Sequence, residues 1–414
     1  MNTSSNRQSA STSQGGGLFS YENGIVLLMA LTFGCLFFDR LALNFLMPYV
    51  AKDLNLNNTQ IGLLAGALSL AWAFSSFFST AWAETYNKKK LVFIAAVFTF
   101  SLCSFGSGWA VSFVTLLIAR LVMGFAEGPV IPLAQNFVER ESSSHRLGIN
   151  AGILQGVGSA LFGSILAPVL LVQIAENMGW RNAFFVAGAP GLVLGLLAWK
   201  FVKRSTAESV EASDGQTMEK SSLNIAELLQ YNNIKWGIGA ACCVFGWWFA
   251  TLPFISNYFV NAQGMSADQM GKTMGLLGVS GLLSSVIVPG LSDRIGRKKV
   301  LLIFMVVGMF YPFAVYFLAG SAIHLPAMFM TYFMMGLLPI VAAVLPSESV
   351  PDHLKAKALG FITAIAEIVG GVLVPALSGV LSDKIAPSAF LWVAAALAFI
   401  GLFFVMKLNE PSKY

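Results

Sequence analysis

The chain has 414 residues, 56% of them hydrophobic and 11% charged, with a formal net charge of +5 and a mean hydropathy of +0.72. Soluble domains carry about one charged residue in four, so these figures exclude one large soluble core and call for many membrane spans of roughly 20 apolar residues each. Cys35, Cys103, Cys242 and Cys243 fall inside apolar stretches with no metal or disulfide spacing and read as small packing residues.

Residues 1–23 form a polar tail of Ser, Gly, Gln and Asn without the basic flank and apolar stretch of a secretion signal, so the tail is predicted to be disordered and the first span uncleaved. Spans are predicted at 24–48, 61–83, 91–109, 111–137, 147–174, 182–201, 235–259, 270–291, 300–319, 325–345, 358–381 and 389–406. A loop over 202–234, rich in Ser, Glu and Lys, divides them six and six. The expected units are therefore residues 24–201, the loop 202–234, residues 235–406 and a tail over 407–414. Of 25 lysines and arginines, Arg40 and Arg120 lie inside spans and Lys52, Arg181, Lys272 and Lys384 in or beside alternate loops. The rest gather on the other side, which the positive-inside rule places in the cytoplasm with both termini. The basic balance records orientation and needs no nucleic-acid partner.

Span one carries Asp39 and Arg40, and span four carries Arg120 and Glu127. A charge in hydrocarbon costs about 3 kcal/mol or more and persists mainly when paired or working. Neighbouring helical residues diverge by about 100°, so Asp39 and Arg40 each need another partner. Arg120 and Glu127 share one helix face, and cross-pairing between spans one and four is expected. A purely structural charge cluster is the alternative, weakened because buried ion pairs stabilise poorly compared with apolar packing. The four charges sum to zero, so protonating one acid frees an arginine and makes the site cationic. A guanidinium then offers a planar two-point match to an organic carboxylate.

Past span two stands Glu84, followed by Lys88, Lys89 and Lys90; past span eight stands Asp293-Arg294-Ile-Gly296-Arg297. The interval from Glu84 to Asp293 equals that from Glu139 to Glu348, an internal repeat of the kind that marks transporters. These loops read as gates: Asp293 facing a helix N-terminus, and Arg294 and Arg297 closing salt bridges that hold one access state. Simple topology-setting charge is the alternative. In span five, Gln155 and Asn150 are substrate donors or interhelical glue. Trp247 and Trp248 in span seven and Tyr332 in span ten are cavity-wall candidates, with packing or lipid-facing roles as the alternative. Glu367, beside Gly370 and Gly371 in span eleven, is a second proton site, a substrate contact or an acid satisfied by neighbouring helices. His145, His324 and His353 all lie in loops, which argues against proton coupling by an intramembrane histidine.

The run Gly290-Leu-Ser-Asp293-Arg294-Ile-Gly296-Arg297-Lys298-Lys299 resembles the loop signature of the major facilitator superfamily. The first-half copy departs from it, with Glu84 for Asp, Thr85 for Arg and Asn87 for Gly. The resemblance covers nearly the whole chain and implies an all-α integral membrane fold of twelve helices in two pseudo-symmetric six-helix halves. A monomeric working unit is expected. More narrowly, Phe38-Asp39-Arg40 together with Arg120, Gly124, Glu127 and Pro132 is similar to the pattern of the anion:cation symporter family. That likeness implies proton-handling roles for Asp39 and Glu127, substrate-carboxylate roles for Arg40 and Arg120, and a cavity-facing amide at Gln155. Glu367 stands outside the pattern.

The expected activity is import of an organic carboxylate by proton symport through alternating access, without cofactor or metal, in a bacterial inner membrane. Spans seven to twelve hold one carboxamide, Asn257, and the chain has 34 phenylalanines. A carboxylate with an apolar or unsaturated body follows, such as an aromatic acid or a diacid like muconate. Sugar acids of the hexuronate or galactonate type are the runner-up. Proton-driven drug efflux is disfavoured because span five reads Phe162-Gly163-Ser-Ile-Leu-Ala167-Pro168, without the Gly-Pro-x-x-Gly-Gly run of such antiporters. Gly271-Lys272-Thr273 ends like a phosphate loop, but Ser266 stands where its first glycine belongs, so no nucleotide partner is expected. A sensor or scaffold would not need two intramembrane Arg–acid sets, and no nucleophile–base set points to an enzyme.

Overall fold

Inside a bilayer every backbone amide and carbonyl needs a partner within the protein, and a helix supplies one for each from its own segment. The computed structural model describes residues 20–143, 145–203 and 225–410, and these form twelve helices long and apolar enough to cross a membrane. They are α1 (Tyr21–Asp53), α2 (Asn58–Thr85), α3 (Lys89–Gly108), α4 (Phe113–Glu141), α5 (Gly158–Met178), α6 (Trp180–Phe201), α7 (Asn232–Asn261), α8 (Ala267–Ile295), α9 (Arg297–Phe317), α10 (His324–Glu348), α11 (Asp352–Lys384) and α12 (Ala389–Met406). The first starts earlier than its hydropathy predicts. Ser20 caps it by accepting from the Asn23 amide, so Tyr21–Asn23 belong to the helix and not to a tail over 1–23. Likewise a short helix, Ile225–Leu229, and the start of α7 at Asn232 fall inside the expected loop 202–234.

Capping boxes at Asn57–Gln60, Ser112–Thr115 and Ser266–Gln269 start α2, α4 and α8. Each satisfies orphan amides reciprocally, and all three lie at the face opposite the chain ends. At that face the halves meet, α2 against α11 and α5 against α8. The approach is close enough to require glycine. A Cβ on Gly62 would stand 2.2 Å from the Pro375 carbonyl, and one on Gly278 2.0 Å from the Ser164 carbonyl. Towards the face that carries the chain ends, Val130–Glu141 of α4 packs on α1, α2 and α3, and Leu345–Glu348 of α10 on α7 and α11, each within its own half. The two six-helix bundles thus touch at one face and part at the other.

Five helices lose regular α geometry in mid-span, α9 at a turn at Phe310 and four others as follows. The helix of α4 breaks between Glu127 and Val130, and the helix leading into α5 is a π-helix over Ile153–Leu166. In α10 a 3-10 turn over Tyr332–Leu337 precedes a π-turn over Ile340–Val344, and α11 is π-helical over Glu367–Leu373. These four are the fourth and fifth helices of each half and so form equivalent pairs, whereas the break in α9 has no counterpart in α3. Irregular backbone at membrane depth is tolerated where it lines a cavity, and π-turns gather at functional sites.

Candidate functional site

Helix α1 carries two neighbouring charges to two different places. Arg40 turns to α4, where its Nη1 donates to Glu127 Oε2 at 2.9 Å with the glutamate fully buried. Its guanidinium carbon lies 5.3 Å from the Trp72 ring centroid, a favourable cation–π geometry. Asp39 turns to α3 and α6. Its Oδ1 lies 2.6 Å from Ser104 Oγ, which is also 2.8 Å from the Phe184 carbonyl oxygen.

Arg120 is buried on the same face of α4 as Glu127. Its Nη1 reaches the Arg40 carbonyl at 3.4 Å and Met123 Sδ at 3.5 Å, while Nε and Nη2 have no acceptor among the described residues. Of the two cross-pairs expected between the first and fourth spans, only Arg40–Glu127 forms. Asp39 and Arg120 do not come within ion-pair distance, because Asp39 is drawn to Ser104 instead. Asp39 Oδ2, Glu127 Oε1 and Glu367 Oε2 are also buried without partners among the described residues, and a carboxylate oxygen is the most costly kind of polar atom to leave so.

Arg40, Arg120 and Glu367 line one cavity of about 240 Å³ between the halves, together with Asn44, Ser69 and Trp72. A second cavity of about 400 Å³ adjoins it, sharing Phe37, Leu41, Trp248 and Leu252 as common wall. It adds Met274, Leu277, Tyr332 and Met335, the hydroxyls of Ser159, Ser164 and Ser285, and no charged residue. The irregular stretches of α4, α5, α10 and α11 all contribute to these walls, through Ile131, Ser159, Tyr332 and Glu367.

Tyr332 and Glu367 therefore line the cavities. Trp247 does not: it is fully buried, donates its Nε1 to the Gly308 carbonyl at 3.1 Å and packs on Tyr311 and Tyr332. One residue on, a helix turns by about 100°, and Trp248 is the tryptophan that faces both cavities. The side chain of Gln155 lies outside the described residues. Asn150 is bound elsewhere, donating to Glu22 Oε1 and Ser142 Oγ, both at 2.8 Å. Ser104, Asn44, Ser69 and Trp72 were not singled out by the sequence. Asn44 had a readable signal, one helical turn beyond Arg40; Ser104 had none, since a serine in a span is ordinary.

The loop residues are arranged differently from the gate expected of them. Arg297 donates to Glu348 Oε1 at 2.6 Å and Oε2 at 3.0 Å, to Ser292 Oγ at 2.6 Å, and pairs with Asp293 at 2.5 Å. Gly296 has φ +105°, a turn that favours glycine, and the following amides of Arg297 and Lys298 donate to Glu410. Arg294 is exposed and forms no ion pair among the described residues. Glu84 pairs with Lys89 at 3.2 Å. Each of these contacts fastens helices within one half.

Among the described residues, a hydrogen-bonded cluster crosses between the halves at the other face. Asp383, at the end of α11, accepts from the Asn58 amide and Nδ2, both at 2.9 Å, from the Thr59 amide at 2.8 Å and from Thr59 Oγ1 at 2.6 Å. A carboxylate on a helix N-terminus is favoured by both the free amides and the dipole. Its sequence, Leu381-Ser382-Asp383-Lys384, matches Leu291-Ser292-Asp293-Arg294 in type at every position.

Comparison with known proteins bears on the same architecture. The sequence profile of the Major Facilitator Superfamily matches residues 29–375. A hexuronate transporter of Bacillus subtilis (strain 168) is 27% identical over 68% of this chain and 67% of its own length. A probable 4-methylmuconolactone transporter of Cupriavidus pinatubonensis is 25% identical over 88% of this chain and 86% of its own. Among solved structures, a D-xylose-proton symporter superposes with a TM-score of 0.74 at 19% identity, covering 93% of this chain and 97% of that one.

Proposed function

The chain belongs to the Major Facilitator Superfamily and is an integral membrane transporter, and from that premise we propose that it imports an organic carboxylate by proton symport through alternating access. The observation that carries this reading is Arg120: a buried guanidinium with two donor nitrogens lacking acceptors among the described residues, beside Arg40, on the wall of the cavity between the halves. That is the fork a carboxylate fits. The organic acid in the name of the Bacillus subtilis relative supports the same class.

Proton handling follows from hydrogen-bond bookkeeping. Ser104 has one hydroxyl hydrogen but lies within bonding distance of both Asp39 Oδ1 and the Phe184 carbonyl. A carbonyl only accepts. When Asp39 carries a proton it donates to Ser104, and Ser104 donates to Phe184, so all three groups are satisfied. When Asp39 is ionised, two acceptors compete for one hydrogen. On Glu127, a proton weakens its hold on Arg40 and turns that guanidinium towards substrate. Glu367 adds a third exchangeable acid from the second half. With two arginines against three acids, protonating two of the acids makes the site cationic, and an anion restores near-neutrality before the halves rock around the loaded site.

The basic loops put both termini in the cytoplasm. The closed face then looks outward, the cavity releases inward, and a bacterial inner membrane supplies the proton gradient. The signature loops, with Glu84, Asp293, Gly296 and Arg297, stiffen each half as it rocks, and Arg294 is free to reach across when the inner face closes. No cofactor or nucleotide enters the cycle, and one chain suffices. A sugar acid is the second reading, favoured by the hexuronate transporter's likeness. The test is internal acidification of proteoliposomes when organic anions are added outside. Acidification by one acid class, lost in Asp39→Asn and Arg120→Ala, is expected. No response to anions, with cationic drugs moving protons the other way, would replace symport with efflux.

A further inference from the structure

The charged groups of the cavity are all at one end of it. Arg40, Arg120 and Glu367 line the smaller lobe, and no charged side chain lines the larger. The lobes meet at Phe37, Leu41, Trp248 and Leu252. A substrate whose carboxylate rests on the arginine fork therefore lays its body against this apolar wall, and a body too long for the smaller lobe has to displace the wall towards a lobe that offers thioethers, an aromatic ring and neutral hydroxyls.

We infer that the substrate is a monocarboxylate whose body is uncharged and largely apolar, and that the uncharged lobe rejects dicarboxylates. The inference rests on the carboxylate site proposed above and narrows it. A second carboxylate has two destinations. In the larger lobe it is desolvated with no cation to meet it, the condition under which a buried charge costs most. In the smaller lobe it turns towards Glu367, whose Oε2 is buried and unpartnered and which already faces the Arg40 charge. A carboxyl beside a carboxylate offers at best one shared proton and at worst like charge. The unsaturated diacids that the phenylalanine content alone leaves open are thereby excluded, whereas aromatic and alicyclic monoacids remain.

The test uses the purified full-length protein in detergent and isothermal titration calorimetry with two acids of one shape: 4-methylbenzoate, and terephthalate, in which the methyl group is a second carboxylate. D-glucuronate is the third probe, a monoacid with a hydroxylated body. Wild type should bind 4-methylbenzoate at least roughly 100-fold more tightly than terephthalate, the scale set by one unpaired buried charge. Met335→Lys places a cation in the uncharged lobe, where Met335 is half-buried, and should narrow that gap by at least about tenfold. Leu282→Lys does the same from α8 should Met335→Lys not fold.

Terephthalate binding wild type as tightly as 4-methylbenzoate would overturn the single-charge inference. A lysine in the lobe that leaves the gap unchanged in a folded variant would do the same. Glucuronate binding more tightly than 4-methylbenzoate would overturn the apolar body. If no acid binds wild type, or if Arg120→Ala binds all three as wild type does, the carboxylate site itself fails, and the inference with it.

Discussion

The two halves share an architecture and divide the chemistry unevenly. The first half brings Asp39, Arg40, Arg120 and Glu127 together through α1 and α4, and holds Asp39 with Ser104 of α3. The second half contributes Glu367 as its one charged cavity residue, and otherwise Trp248, Met274, Tyr332, Met335 and aliphatic side chains. Repetition of a six-helix bundle evidently does not repeat its site. A charge cluster assembled inside one half stays intact while the halves rock, so its hydrogen bonds need not be remade at each turnover. On the function proposed above, the other half reads the substrate's body and closes on it.

The comparison breaks most sharply at Arg120. Arg120→Ala should cut carboxylate uptake by roughly 100-fold or more, because it removes the fork and leaves Glu127 and Asp39 with less cationic support, a loss of about 3–5 kcal/mol for a broken buried charge set. Arg120→Lys keeps the charge but not the planar donors and should still lose at least about tenfold. Uptake into proteoliposomes, read beside the thermal unfolding of each variant, separates a lost seat from a lost fold. Wild-type uptake by Arg120→Ala would move the anion seat out of the first half.

Next comes the division between binding and coupling inside the first half. In Asp39→Asn the amide can donate to Ser104 permanently, imitating the protonated acid. Uptake driven by a pH gradient should fall by about 100-fold, while exchange of labelled for unlabelled substrate persists within a few-fold. Ser104→Ala removes a hydrogen bond worth about 1–3 kcal/mol and should slow gradient-driven uptake roughly tenfold without moving substrate affinity. A parallel loss of uptake and exchange in both variants would mean that Asp39 serves structure and not the proton.

The two membrane faces sharpen the comparison further. Around Arg297, the ion pairs tie α8, α9 and α10 within one half, whereas Asp383 ties α11 to α2 across the halves. Asp383→Ala should therefore shift the access equilibrium by about 1–3 kcal/mol towards opening of that face. Hydrogen exchange at the first turn of α2 should speed up accordingly. Glu348→Gln, by contrast, should lower the stability of the second half and leave exchange at α2 unchanged. Equal responses would mean that both clusters merely hold helices together.

How much of this could be read from the sequence depends on what kind of interaction carries each feature. The twelve helices were legible because hydrocarbon imposes length and apolarity on every span independently. The charged pole was legible because Asp39, Arg40, Arg120 and Glu127 are costly where they stand and have to be explained. Ser104 was not, since a serine in a helix satisfies itself on its own backbone and gives no sign of the aspartate beside it. The choice of Trp248 over Trp247 was equally hidden: both are apolar and adjacent, and only the rotation of α7 decides which meets the cavity. The latch at Asp383 was written in the chain as Leu-Ser-Asp-Lys, an echo of the loop after α8. Its meaning needed the neighbouring helix start, which is more than 300 residues away in sequence.

The smallest effect tests that last distinction on two neighbouring side chains of the second half. Trp247→Phe keeps the ring but loses the donor to the Gly308 carbonyl. It should cost about 1 kcal/mol of stability and change uptake by less than about twofold, since Trp247 never meets the cavity. Trp248→Ala opens the wall common to both lobes. It should weaken substrate affinity by roughly tenfold, because an aromatic wall buries the substrate's body, with little change in the thermal midpoint. The pair is informative because their hydrophobicity and position along the chain are almost identical. Exchange of the two outcomes, with affinity following Trp247 and stability following Trp248, would rotate α7 by a quarter-turn and turn the aromatic wall of the second half away from the substrate.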